Sequence, residues 1–200
     1  MNTCYTVITD GYDTLKDPYV TEGWEYIVFS DVRIEHPIWE CTVTGKHNRE
    51  VKIKANTLLH RNLTLYVDGS MQIIGDLNEF CEEVPNWFTI HQHPYRDNIF
   101  QEAEAVIKLN KMNRGLVMSQ MNRYLKHGYE VNGLAECNIM LRDLSDQRVR
   151  DICNDWWEEW LTSCGRDQLS LPYVFWSHNQ NMDLFGEDIF RKYFILNRHK

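Results

Sequence analysis

The 200-residue chain has no run of about 18 apolar residues, so no segment reads as a membrane-spanning helix. Its opening, Met1-Asn2-Thr3-Cys4-Tyr5-Thr6, has neither a basic cluster nor an apolar leader, and the expected location is cytoplasmic. Its six cysteines (Cys4, Cys41, Cys81, Cys137, Cys153, Cys164) include no Cys-x-x-Cys pair. That argues against a cysteine zinc site and fits reduced, mostly buried thiols. Positive charge is scarce: 21 Lys and Arg stand against 29 Asp and Glu, a net charge of −8. Such a balance disfavours non-specific nucleic-acid binding, though not a local basic groove. Internal repeats, low-complexity stretches and linkers are absent. What the chain does have is 43% hydrophobic and 12% aromatic residues, with seven Trp and ten Tyr. This is ample for one domain with a packed core, or a cleft with aromatic walls.

Apolar runs at 4–9, 24–30, 39–44, 63–67, 87–91 and 138–141 read as strands. Helical spacing covers 51–61, 99–111, 118–126 and, most regularly, 149–164. Gly128 and Gly165 stand where the last two should stop. The stripe of Trp156, Trp157 and Trp160 reads as core, and 191–200 as a partly mobile basic tail. Strands alternating with helices predict an α/β fold, with a mostly parallel central sheet flanked by helices. Such sheets bind ligands beyond the carboxyl ends of their strands. The turns holding Thr9 to Asp13, Asp31 and Asp68 are therefore expected on one edge.

Asp68-Gly69-Ser70 ends the strand 63–67. A carboxylate there holds a hard cation, which in turn holds a diphosphate; the competing interpretation is an Asp-Gly hairpin turn. Thr9, Gly11 and Tyr12 form a turn able to take a nucleotide, with Gly11 allowing close approach and Tyr12 offering a flat face. Asp31 suits a ribose or base contact, or a helix cap. Arg49, Lys52 and Lys54 offer charge for a leaving phosphate, or a solvated helix face. His91-Gln92-His93-Pro94-Tyr95-Arg96-Asp97 is dense in functional groups; on an extended backbone both rings would share one side, and Arg96 suits a phosphate or sugar hydroxyl. Glu136, ahead of a strand, suits a sugar contact or a proton acceptor. Arg166 and Asp167 open a further apolar segment at 169–176, as site residues or, for Asp167, as an N-cap.

Taken in order, six stretches resemble one family. They are residues 5–13, Phe29-Ser30-Asp31, Tyr66-Val67-Asp68-Gly69-Ser70, His93-Pro94-Tyr95-Arg96-Asp97 ahead of Glu102-Ala103, Trp156-Trp157-Glu158-Glu159, and Arg166-Asp167-Gln168-Leu169-Ser170. The family is the glycosyltransferase-like group that includes plant turgor-defective and mucilage-related proteins and bacterial relatives. The resemblance implies a single GT-A-like (Rossmann-like) domain, with 1–80 on the nucleotide-sugar side and 81–200 on the sugar and acceptor side. It implies transfer from a UDP-sugar-like donor. Thr9, Gly11, Tyr12, Asp31, Lys54 and Arg166 would bind that donor, and Asp68 would hold Mn²⁺ or Mg²⁺. His93, Arg96, Glu136 and Asp167 would line the reacting side, with Asp167 the first choice of acidic group and Glu136 the second. Ser70 departs from the Asp-x-Asp pattern of GT-A enzymes. Acceptors consistent with the sequence are a saccharide or a hydroxylated base in DNA. Two rivals remain: a non-catalytic nucleotide-sugar binder, and a metal-dependent hydrolase built on His91, His93, Asp97 and Asp68.

Overall fold

A computed structural model describes residues 1–59, 63–131 and 133–198. Its strands are β1 (Asn2–Ile8), β2 (Trp24–Ser30), β3 (Glu40–Val43), β4 (Leu63–Val67), β5 (Met71–Ile73), β6 (Phe88–Gln92), β7 (Ala135–Asp143), β8 (Asp183–Phe185) and β9 (Phe194–Leu196). Its helices are α1 (Asn48–Ile53), α2 (Leu77–Glu83), α3 (Ile99–Lys108), α4 (Arg114–Lys126), α5 (Gln147–Thr162), α6 (Asp167–Ser177) and α7 (Glu187–Tyr193). Seven strands form one sheet in the order β3-β2-β1-β4-β7-β6-β8, and β5 pairs with β9 apart from it. All neighbours in the large sheet run parallel except at β7, which is antiparallel to both β4 and β6. The expected α/β architecture with a mostly parallel sheet is therefore present.

Alternation along the strands builds two cores, as a period of two requires. Tyr5, Tyr66 and Met140 enter one cluster with Phe88, Trp156 and Phe175. Their neighbours Cys4, Leu65 and Ile139 enter the other with Phe80, Phe185 and Phe194. A third cluster joins α3 and α4 through Ile99, Val106, Val117 and Tyr124. Trp156 is fully buried as expected, whereas Trp157 and Trp160 are only partly buried and stack on each other.

Several boundaries shift for identifiable reasons. The helix expected from residue 118 begins at Arg114, because the Asn113 side chain caps it by accepting from Leu116 N–H. The helix expected over 51–61 is the short α1 plus a 3₁₀ turn at Ala55–Thr57; residues 60–62 lie outside the described residues. The expected mobile tail instead contains the end of α7 and β9, with residues 199–200 outside the description. Asp68-Gly69 is not a hairpin turn: β5 pairs with β9 rather than with β4.

Arg142, fully buried on β7, fastens α1 to the sheet. It donates to the carbonyls of Lys52 (3.0 Å) and Ile53 (3.1 Å) and to the Tyr5 hydroxyl. These carbonyls at the end of α1 have no helical partner and carry partial negative charge, which suits a guanidinium.

Candidate functional site

Because β7 runs against its neighbours, its amino end lies at the same sheet edge as the carboxyl ends of β4 and β6. Glu136 therefore arrives beside Asp68 and His93. A break in pairing sharpens this: Ile90 pairs with Met140 but Gln92 pairs with Ala135, so β7 bulges between them. Within the bulge Cys137 has φ +60°, a left-handed conformation that costs a non-glycine residue of order 1–3 kcal/mol. Gln168 on α6 holds the bulge by donating to the Glu136 carbonyl at 3.2 Å.

A cavity of about 380 Å³ opens at this edge, lined by Thr9, Tyr12, Arg49, Asp68, Lys111 and Arg166 among others. It draws on both halves of the chain. Its floor is an ion cluster. Lys52, only 2% exposed, sets Nζ 2.7 Å from Asp167 Oδ2 and 3.5 Å from Asp68 Oδ1. Arg49 Nη1 lies 3.8 Å from the same Asp167 oxygen, and the Tyr66 hydroxyl donates to Asp68 Oδ1. Burial alone would push the Asp167 carboxyl up, but Lys52, Arg49 and Arg166 outweigh it and hold the group well below the usual range. The charge of Asp167 in turn raises the pKa of Arg49.

A second cluster adjoins the first. Glu102 is fully buried on α3 and clasps two guanidinium groups: Arg96 Nε at 2.6 Å and Arg166 Nη2 at 3.0 Å. His93 Nδ1 accepts the backbone N–H groups of Tyr95 and Arg96, both at 3.1 Å, and its Nε2 lies 2.7 Å from Arg96 Nη2. The same Nε2 lies 3.1 Å from Glu136 Oε2. Burial and the Arg96 guanidinium lower the His93 pKa to about 4, leaving a neutral ring. Burial, then the charges of Glu102 and Asp68, raise Glu136 from 4.5 to about 7, although Arg166 and Arg96 oppose the rise. Glu136 Oε2 is itself buried without an aligned hydrogen-bond donor.

The remaining expected residues divide. Thr9, Tyr12, Asp68 and Arg166 line the cavity. Asp31 accepts the Asp10 N–H at 3.1 Å and lines an adjoining groove of about 340 Å³ that shares Thr9 and Asn48 with the cavity. Gly11, with φ +60°, shapes the turn that carries Tyr12 and borders a different groove. Lys54, the residue ending α1, does not line the cavity; Lys52, two residues earlier and so on the opposite side of the helix, is the lysine that reaches Asp68. His91 and His93 do not converge. His91 faces Asn138 and Glu187 and stacks on Phe190, away from the cluster around His93. Among the described residues no group of three or more His, Cys, Asp or Glu side chains is arranged to hold a metal, which removes the basis of the hydrolase alternative. Sequence reasoning gave Glu102 and Lys111 no role in a site. An acid at position 102, on the apolar face set by Ile99, Ala103 and Val106, was the available signal for the first.

The family model described as "TOD1/MUCI70, glycosyltransferase-like domain" matches residues 48–199. The chain belongs to this family. The matched stretch of this glycosyltransferase-like chain includes both ion clusters and excludes β1 to β3, so Thr9, Tyr12 and Asp31 lie outside it. The apo structure of the WbbM bifunctional glycosyltransferase shares the fold, with a TM-score of 0.54 and 11% identity. That alignment covers 91% of this chain and 38% of the other, so the present chain spans well under half of the larger protein. No curated protein matches the chain. Among the described residues no helix is long and apolar enough to cross a membrane.

Proposed function

We propose that this chain transfers a sugar from a nucleoside-diphosphate donor to an acceptor hydroxyl. The observation that carries the proposal is the cavity itself: two carboxylates, Asp13 and Asp68, and three cations, Arg49, Lys111 and Arg166, line it at the carboxyl edge of the sheet. Cations set around a dianionic group stabilise charge as it accumulates on a leaving diphosphate. Thr9 and Tyr12 would hold the nucleoside, with Asp31 reached along the adjoining groove.

The donor set fits a Mg²⁺- or Mn²⁺-class ion only in part. Ser70 supplies no second carboxylate to the Asp68 turn, and Asp68 Oδ1 already takes the Tyr66 hydroxyl and faces Lys52. Ions of this class are commonly bound by one or two carboxylates with substrate phosphate and water completing the shell, and Asp68 meets that minimum. When bound, the ion would add Lewis-acid stabilisation of the diphosphate. Lys52 would keep Asp68 and Asp167 compatible as neighbours.

Glu136 is the better proton acceptor of the two acids. Its pKa near 7 matches the task, whereas Asp167 is held ionised and weakly basic by Lys52 and Arg49. The neutral His93, anchored by two backbone N–H groups and by Arg96, would wall the Glu136 carboxylate, its Nε2 3.1 Å from Oε2. A base acting on the acceptor favours inversion at the anomeric carbon. A saccharide acceptor is favoured over a base in DNA. The basic residues that would serve a DNA groove are dispersed: Arg49 lines the cavity, Lys52 is buried against Asp167, Lys54 ends α1, Arg114 opens α4 and Arg123 pairs with Glu159, while Arg61 lies outside the described residues.

The test is a thermal-shift screen of nucleotide sugars with and without Mn²⁺, on the wild type and Asp68→Ala. A donor at about 100 times its dissociation constant should add about 2.7 kcal/mol. A shift given by one donor and lost in Asp68→Ala supports the proposal; no shift with any donor rejects it. Asp68-Gly69-Ser70 in place of Asp-x-Asp also keeps alive a pure nucleotide-sugar binder. Slow donor hydrolysis without acceptor separates the two, because a pure binder releases no sugar.

A further inference from the structure

The stretch 105–129 contains no Asp or Glu, in a chain whose net charge is −8. It holds Lys108, Lys111, Arg114, Arg123 and Lys126. Arg123 is neutralised by Glu159, but the other four form no ion pair among the described residues and are exposed. Three of them, Lys108, Lys111 and Arg114, cluster at the corner where α3 hands over to α4. Two leucines, one among them and one just after, are exposed: Leu109 at 61% and Leu116 at 54%. Unpaired basic side chains beside exposed leucines are a poor match for a solvated surface and a good match for a lipid headgroup layer.

We propose that this corner docks on an anionic lipid surface, with Leu109 and Leu116 entering the headgroup boundary and Lys108 and Arg114 contacting lipid phosphates. Charge complementarity selects this occupant. The rest of the chain is strongly acidic and is repelled by the same surface, so the corner is the part that faces it. Exposed leucines favour lipid over nucleic acid, which would use the cations but has no place for the apolar side chains. Lys111 belongs to the corner and also lines the cavity, so docking brings the cavity mouth to the lipid plane. Resting on the transferase proposal, this geometry suits an acceptor attached to lipid rather than one free in solution.

The test is co-sedimentation of the full chain with phosphatidylcholine vesicles, with and without phosphatidylserine, across a salt series. Binding is expected only to the anionic vesicles and should weaken with salt. Each cation removed should lower partitioning about fivefold. Lys108→Ser and Arg114→Ser therefore reduce it separately, and together by the product. Leu109→Ser with Leu116→Ser should reduce it at unchanged charge. All four side chains are exposed and lie outside the cavity, so the thermal shift given by a donor serves as a folding control. Absence of binding to anionic vesicles overturns the proposal, as does binding that survives loss of both cations. Binding to duplex DNA that the leucine changes leave untouched also overturns it, and reassigns the corner to nucleic acid. Vesicle binding requires no catalysis, so failure here and failure of the transferase proposal are read separately.

Discussion

At the scale of single residues, Glu136 and Asp167 have opposite electrostatics and should answer mutation in opposite ways. Glu136 has a folded pKa of about 7 against an ordinary 4.5. The folded chain therefore binds a proton more tightly than the unfolded one. Its contribution to stability is full below about pH 4.5 and is lost as pH rises through 7. Glu136→Gln should lower transfer by about 10²–10⁴ and remove the rise in rate across pH 7, as read from kcat profiles. The same variant should melt higher than the wild type at pH 8 and gain little at pH 4. Asp167 is the reverse case: its depressed pKa stabilises the fold above the usual carboxylate range, and that support disappears as pH falls. Asp167→Ala leaves Lys52 buried without its 2.7 Å partner, and urea unfolding should report a loss of about 3–5 kcal/mol. Adding Lys52→Met should recover part of that loss, because the stranded charge goes with it.

At the scale of elements, the turn after β4 is set by a close approach. A Cβ on Gly69 would stand 3.0 Å from Asp13 Cβ and 3.1 Å from Ile8 Cγ1, so the turns after β1 and β4 meet with no room for a side chain. Gly69→Val should cost about 1–3 kcal/mol by overpacking and weaken donor binding by moving Asp13, measured by urea unfolding and donor titration. The sequence made Asp68 legible because a carboxylate following five apolar residues is conspicuous. It made Thr9, Tyr12 and Arg166 legible because each follows a strand or opens a helix. Glu136 was legible as a residue but not as a placement. Alternating apolar patterns show where a strand lies and are silent on its direction, and only the reversal of β7 brings Glu136 to the edge. Lys52 and Lys54 are indistinguishable by type; the seating of α1 by Arg142 decides which one faces Asp68. The short strands β5, β8 and β9 escaped notice because three residues carry too little periodicity to register.

At the scale of the whole molecule, the central sheet is assembled out of chain order. β7 lies between β4 and β6, and β8 closes the far side of β6. Both partners of β6 are made later than β6 itself, at Ala135–Asp143 and Asp183–Phe185. During synthesis from the N-terminus, β1, β2, β3 and β4 can pair among themselves as they emerge, while β6 has two open edges and β4 has one. The ribosome thus spends the interval between β6 and β7 holding a nascent chain with unpaired edges separated by a missing strand. A message cut short before residue 135 would yield an associating fragment rather than a smaller working domain. The pace of translation across that interval bears directly on how much intact protein a cell recovers.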